Sequence, residues 1–293
     1  MKPPPFDYHS PQETEEALAL LSELGDDVKV LAGGQSLVPL LNFRLAEPAH
    51  LVDLNRIGSL AHVRRSEGRL RIGSMTRQSV LEASPVAARH WPILSEALHW
   101  VAHPQIRNRG TVGGSAAHAD PAAELPIAFA ALDARFHVRS SGGDRAIEWN
   151  DFFVTHLTTA LAPDEMLVEI EVPPLPPSTG WAFTEFARRH GDFALGGAAV
   201  LLAMDDGACR EARIALLGAS DTPIRADAAE QALSGARVDE EAVAEAARRA
   251  VADIEPTGDI HGSSEYRRNL IEAMVRRGVL QAAERAGKEG DDG

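Results

Sequence analysis

Val30-Leu31-Ala32-Gly33-Gly34-Gln35-Ser36 and Gly110-Thr111-Val112-Gly113-Gly114-Ser115 share one form: an apolar approach, paired glycines, then a hydroxyl side chain. Glycine lets the backbone turn sharply and come close to a ligand. Successive free N–H groups in such a turn make a concavity for an anion, and a serine hydroxyl adds a donor. One strand–Gly–Gly turn is ordinary, but two of one form predict that both cradle a single diphosphate. Neither fits the commoner nucleotide fingerprints. No third glycine follows Gly34 at the dinucleotide-fold spacing and no acidic residue follows in the right place. The Gly-Lys-Ser/Thr of a phosphate-binding loop is absent from the sequence.

Composition narrows the reading further. The chain has 293 residues, 44% hydrophobic and 25% charged, enough for two domains with real cores. A net charge of −14 argues against a nucleic-acid partner, which demands a basic surface. It also leaves a bound diphosphate to backbone N–H groups rather than a lysine cluster. No apolar run reaches membrane-spanning length, and Met-Lys-Pro-Pro-Pro at the start lacks the apolar stretch of a signal peptide. The lone Cys209 forbids an internal disulfide, fits a reducing cytoplasm, and rules out an iron–sulfur cluster held by this chain's thiolates alone.

Outward from the two segments, Ser10-Pro11-Gln12-Glu13 reads as a capping-box start for a helix ending at Gly25, and Val28–Ala32 is a strand. Leu37–Leu45 is a short apolar segment whose Leu40, Leu41 and Phe43 read as core, followed by a strand at His50–Leu54. Leu60–Arg65 and Arg69–Gly73 form a hairpin, Thr76 caps a short helix to about Ala83, and Ile93–Ala102 is an amphipathic helix. Asp120-Pro121 starts a helix that ends near Asp133. A second hairpin, Phe136–Arg139 with Ala146–Trp149, and a strand at Met166–Val172 complete the first part. Pro173-Pro174-Leu175-Pro176-Pro177-Ser178 can lie in neither helix nor central strand and marks a boundary. Beyond it, Trp181–Arg188, Ala194–Met204 and Arg210–Leu217 read as an antiparallel sheet. Helices at Ala226–Leu233, Glu240–Ile254 and Ser264–Ala286 back it, and residues 287–293 form a charged tail expected to be disordered.

Ala32-Gly33-Gly34-Gln35-Ser36 and Thr111-Val112-Gly113-Gly114-Ser115 resemble the two flavin loops of the FAD-binding medium subunit of molybdenum hydroxylases, the family of aerobic carbon monoxide dehydrogenase and xanthine dehydrogenase. The likeness extends over almost the whole chain, through Gln105-Ile106-Arg107-Asn108, Asp164-Glu165-Met166-Leu167, Gly191-Asp192-Phe193-Ala194 and Tyr266-Arg267-Arg268. It implies an α+β fold: a two-subdomain FAD-binding domain of the PCMH type over residues 1–172 (subdomains about 1–55 and 56–172). A C-terminal domain of the CO dehydrogenase flavoprotein type, an antiparallel sheet with helices, follows over 179–286. It also implies that Leu31, Ala32, Gly33, Gly34, Gln35, Ser36 and Leu37 from one loop, and Thr111, Gly113, Gly114 and Ser115 from the other, hold FAD, with Ala102 and Ile106 on the lead-in. Asp120 and Glu124 stand where the family contacts the ribityl chain and loop, Leu167 where backbone meets the flavin ring, and Phe193 at an aromatic position near it. Gln35 replaces a histidine common in the carbon monoxide enzymes, and Glu124 an aspartate common elsewhere.

Plainer roles stand beside these. Asp120 before Pro121 reads equally as a helix N-cap, Glu124 as a solvated first-turn acid, and Leu167 and Phe193 as packing residues. Arg107 and Arg109 either reach a phosphate or a partner or lie on a solvated surface. His103 and His118 are the available candidates for a base or a covalent flavin link. The implied function is electron transfer: electrons from the [2Fe–2S] clusters of a small partner subunit pass through FAD to an external acceptor, and a large molybdopterin subunit oxidises the substrate. A dimer of such heterotrimers in the cytoplasm is expected, with no catalytic or metal-binding residue in this chain. The other readings are a self-sufficient FAD-dependent oxidoreductase of the related oxidase fold, and a catalytically silent nucleotide-binding assembly protein. Gln35 tilts the substrate of the complex from carbon monoxide towards an organic molecule.

Overall fold

Three sheets of three or more strands and one two-stranded ribbon build the fold in a computed structural model that covers residues 2–289. The first is small and wholly parallel. Strands β1 (Asp7–His9), β2 (Val28–Leu31) and β3 (His50–Asp53) lie in the order β1-β3-β2, with helices α1 (Thr14–Leu24) and α2 (Leu37–Asn42) in the connections. Ala17, Leu18 and Leu21 of α1 pack on Val28, Val52 and Leu54. The capping box is not formed. Helix α1 starts at Thr14 after Glu13, and the Glu16 carboxylate instead accepts from the Gln12 N–H at 2.9 Å. Leu41 of α2 is buried, but Phe43, read as core, is 67% exposed, because the helix ends at Asn42 and turns it outward.

The second sheet is antiparallel throughout. Its first hairpin is β4 (Val63–Ser66) and β5 (Arg69–Gly73), reached through a 3-10 turn at Gly58–Leu60 rather than by strand from Leu60. Six helices follow: α3 (Gln78–Glu82), α4 (Pro85–His90), α5 (Pro92–Trp100), α6 (Pro104–Arg107), α7 (Val112–His118) and α8 (Glu124–Ala131). Next come the hairpin β6 (Arg135–Ser140) and β7 (Gly143–Glu148), a short helix α9 (Trp149–Phe152), a two-stranded ribbon β8 (Phe153–Thr155) with β9 (Thr158–Thr159), and β10 (Met166–Val172). Strand order is β4-β5-β10-β6-β7, which places the last strand in the centre. Thr76 does not cap α3: its hydroxyl donates to the His62 carbonyl and accepts from the His62 N–H, closing the hairpin onto the following turn, and Arg77 precedes the helix.

The third sheet comprises β11 (Thr179–Phe186), β12 (Gly196–Asp205), β13 (Ala208–Leu217) and β14 (Ile224–Arg225), in that order and antiparallel. Helices α10 (Asp227–Leu233), α11 (Glu240–Ala250) and α12 (Ser264–Glu289) cover one face. Helix α11 stops four residues short of Ile254, and α12 runs on through 287–289; residues 290–293 lie outside the described residues.

Helices on one side of this sheet were expected; helices on both sides are found. Ala198, Val200, Leu202, Ile214 and Leu216 face α10–α12, whereas Ala199, Leu201, Ala215 and Leu217 join Phe129 and Phe136 in a core shared with the second sheet's helices. That two-sided burial is why β12 reads as an unbroken apolar run without alternation. Between the two large sheets runs α8, in which every residue is buried. A helix apolar all round can exist only inside a core. Pro126 falls in its first turn, where no intrahelical N–H bond is required. Polar bonds also cross the seam: Arg225 donates to the Ala130 carbonyl and to Asp133, and Arg285, itself bonded to the Trp181 carbonyl of its own half, donates to Glu96.

Candidate functional site

The two glycine segments, more than seventy residues apart in sequence, meet backbone to backbone. A Cβ added at Gly33 would overlap the Arg109 carbonyl and lie 2.7 Å from the Gly110 Cα, and one at Gly114 would lie 3.4 Å from the Ala32 Cβ. A third constraint comes from Gly113, whose missing Cβ would sit 2.5 Å from that of Ser74. Glycine is therefore required at Gly33 and Gly113 by neighbouring protein as well as by any ligand.

The segments are not equivalent. The first is an open turn. Gly34 has φ +73°, the left-handed region that favours glycine, and Gln35 folds back so that its side-chain amide donates to the Gly33 carbonyl at 3.1 Å. The N–H groups of Gly33, Gly34, Gln35, Ser36 and Leu37 donate to no protein group among the described residues. Gly33 is buried and its followers are half-buried, apart from the exposed Ser36.

The second segment, expected as a matching loop, is the first turn of α7. Thr111 is its N-cap, with Oγ1 accepting from the Gly114 N–H at 3.0 Å, so the hydroxyl of this stretch serves the helix. The Gly113 N–H donates to the Ser74 carbonyl at 2.8 Å and that of Ser115 to the Thr111 carbonyl at 3.1 Å. Gly113, Gly114 and Ser115 therefore do not offer the row of free donors that their sequence suggested. What this segment brings is close approach without side chains, and the positive end of a helix dipole. Such a pairing, one donor row against one side-chain-free wall, fits a diphosphate.

The remaining expected residues divide into two groups. Ile106 and Ala102 line the approach. The Ile106 carbonyl accepts from Gly110 N–H at 2.6 Å, and Ala102 takes φ +40°. Leu167 is 5% exposed at an irregularity in β10, where the register shifts before Glu169 and the Val168 carbonyl accepts from Ser74. Through Ser74 this central strand is thus tied to Gly113. Phe193 stands apart, 73% exposed, on the segment joining β11 to β12. Gly191 in that segment has φ +88° and lies so close to the Ala102-His103 turn that its Cβ would be 2.5 Å from the His103 ring.

Asp120 does not cap a helix: α8 begins four residues later, and the Asp120 carboxylate accepts from the Ala122 N–H at 2.9 Å in a local turn. Nor is Glu124 solvated. It is 9% exposed, and burial first, then Asp120, push its carboxyl up to about 7 against the pull of its own N–H and of Arg107. Arg107 is buried, not surface, donating to Glu82 at 2.8 Å and to the Val101 carbonyl at 2.8 Å, whereas Arg109 is exposed. The His118 imidazole, at the end of α7, is held below the ordinary range by burial.

Sequence reasoning missed three participants. Glu185 of β11, 5% exposed, has an Oε2 with no hydrogen-bond partner, and burial together with Glu124 pushes its carboxyl up to about 9. Asn55 and Arg77 join the two segments. The Asn55 amide donates to the Ala32 carbonyl at 2.9 Å, and Arg77 donates to the Asn55 Oδ1 at 2.6 Å and to the Arg109 carbonyl. The available signal was Asp53-Leu54-Asn55, an Asx-type turn directly after a strand; Arg77 had none.

Comparison with known proteins identifies the family. Residues 4–175 match the FAD binding domain in molybdopterin dehydrogenase, and residues 181–282 the CO dehydrogenase flavoprotein C-terminal domain. The chain is 48% identical to the 6-hydroxypseudooxynicotine dehydrogenase complex subunit alpha of Paenarthrobacter nicotinovorans, over 98% of this chain and 97% of that one. It superposes on a chain of the carbon monoxide dehydrogenase of Hydrogenophaga pseudoflava with a TM-score of 0.95 and 41% identity, covering 97% and 99% of the two chains. For quinoline 2-oxidoreductase of Pseudomonas putida 86 the TM-score is 0.93 and the identity 42%, covering 98% and 99%. No helix among the described residues is long and apolar enough to cross a membrane.

Proposed function

The chain belongs to the FAD-binding medium subunits of the molybdenum hydroxylase family, oxidoreductases that work as multi-subunit complexes, and we propose that it is the electron relay of one. FAD bound here takes electrons from [2Fe–2S] clusters of a small partner subunit and delivers them to an external acceptor. A large molybdopterin subunit oxidises the substrate, two such heterotrimers pair, and the complex works in the cytoplasm. Flavin chemistry supplies the one-electron and two-electron steps such a relay needs.

The single observation that carries this reading is the unpartnered donor row from Gly33 to Leu37, set against the glycine wall of α7 in a chain with one cysteine. The row suits a dinucleotide's diphosphate, while the lone Cys209, buried and with its thiol pushed up to about 11, leaves cluster chemistry to another chain. In this reading Leu31, Ala32, Gln35 and Ser36 line one side of the diphosphate, and Thr111, Gly113, Gly114 and Ser115 the other. Asp120 and Glu124 lie towards the ribityl chain, and the Leu167 backbone and Phe193 near the ring. Gln35 favours an organic molecule over carbon monoxide as the substrate of the complex, and the names of quinoline 2-oxidoreductase and the 6-hydroxypseudooxynicotine enzyme complex favour an aromatic N-heterocycle.

The test is anaerobic flavin bleaching. The isolated FAD-loaded chain should stay oxidised when mixed with the substrate of the complex and bleach once both partner subunits are added. Rapid bleaching of the isolated chain would replace the relay with a self-sufficient oxidoreductase.

A further inference from the structure

The first glycine segment follows β2 of the parallel sheet and the second opens helix α7, so something must hold the two in register. Their carbonyls are gripped from one point. Asn55, just after β3, donates from Nδ2 to the Ala32 carbonyl at 2.9 Å and to Asp53 Oδ1 at 2.5 Å; Asp53 in turn accepts from the Tyr8 hydroxyl. The Asn55 Oδ1 accepts from Arg77 Nη2 at 2.6 Å, and Arg77 Nη1 donates to the Arg109 carbonyl. Ala32 and Arg109 directly precede Gly33 and Gly110, the two glycines that touch.

The peptide unit is planar, with its C=O and N–H pointing in opposite directions. Holding the Ala32 carbonyl towards Asn55 therefore turns the Gly33 N–H the other way, where the unpartnered donor row begins. From this geometry we infer that Asn55 and Arg77 are positioning residues: they fix the orientation of the Ala32–Gly33 peptide and lock it to the Arg109–Gly110 peptide, presenting a preformed donor row to the diphosphate. The inference rests on the FAD-binding reading of this site. A guanidinium is the side chain suited to this work, because its two terminal nitrogens diverge in a fixed fork. An ammonium at the end of a lysine carries the same charge without that fork.

The experiment measures binding of FAD, ADP and riboflavin to the full-length apo chain by titration, in the wild type and in Arg77→Lys, Arg77→Met and Asn55→Asp. ADP carries the diphosphate without the flavin ring, and riboflavin the ring without the diphosphate. All three variants should weaken FAD and ADP about tenfold or more, while riboflavin affinity stays at the wild-type value. Arg77→Lys binding FAD like wild type while Arg77→Met does not would make Arg77 a mere charge and overturn the inference. So would full affinity in every variant. Equal loss of all three ligands would mean general collapse of the site and would overturn it as well. Failure of the wild-type chain to bind FAD would strike the FAD-binding reading itself and is read separately.

Discussion

Glu185→Gln tests how the seam between the two halves responds to pH. Glu185 and Glu124 are both buried there, and their carboxyls sit at about 9 and about 7 instead of 4.5. Glu124 has Asp120 and Arg107 as charged neighbours, with Arg107 committed to Glu82; Glu185 has Glu124. A carboxyl raised in the folded state is neutral there while the unfolded chain is ionised, so stability is complete below the unfolded value and declines as pH rises towards the folded one. Each pH unit on that slope costs about 1.4 kcal/mol per group. Between pH 6 and 9, Glu185 therefore removes at most about 4 kcal/mol and Glu124 about 1 kcal/mol more. Glutamine keeps the shape and cannot ionise. Unfolding is followed by calorimetry at pH 6, 7, 8 and 9 with FAD at fixed excess, since a ligand that binds only the folded state adds its own stabilisation. The variant should already exceed wild type by about 2 kcal/mol at pH 6, which lies roughly 1.5 pH units above the unfolded value, and the difference should widen towards pH 9, with a Tm gap of roughly 5 °C or more. Parallel curves for the two proteins would refute the assignment of a neutral, buried Glu185.

Three further outcomes follow from the packing. Gly33→Ala should abolish FAD binding while the apo chain still folds, because the methyl meets the Arg109 carbonyl and Gly110; Gly58→Ala, with open space around it, is the control and should bind normally. Flavin absorbance after gel filtration reads both, and retained flavin in Gly33→Ala would disprove the contact. Thr111→Ala should cost about 1 kcal/mol by urea denaturation, the usual loss for an N-cap hydroxyl; an unchanged midpoint would show that the cap contributes nothing. Arg285→Met, which removes the bonds to Glu96 and the Trp181 carbonyl and the stacking 5.2 Å over the Trp181 ring, should lower stability by about 1–3 kcal/mol, and an unaltered Tm would refute it.

The strongest local signals were legible. Paired glycines marked both segments, and the apolar runs at Val28–Leu31, Met166–Val172 and Gly196–Asp205 marked strands. The helical character of Thr111–Ser115 was hidden because two glycines oppose helix by propensity, and it is Thr111's capping bond and the Ser74 contact that decide the outcome. Asp120 misled because an aspartate before proline suits a turn as well as a cap, and the first helical residue is fixed by burial of Glu124 and its neighbours. Arg107 looked solvated because charge predicts exposure, yet Glu82 and the Val101 carbonyl lie in other elements that only tertiary structure brings near. Beyond the Asx-type turn at Asp53–Asn55, nothing pointed to Asn55 or Arg77, because the backbone carbonyls they grip, of Ala32 and Arg109, are groups every residue possesses.

Helix α8 also sets the order of events during synthesis. Its apolar surface is complete once Ala131 has left the ribosome, but its cover on one side, β12 and β13, ends at Leu217. At about 5–20 residues per second, the nascent chain carries that bare helix for several seconds or more. Chaperone occupancy along the message should be highest after α8 emerges and fall as β13 follows and covers it.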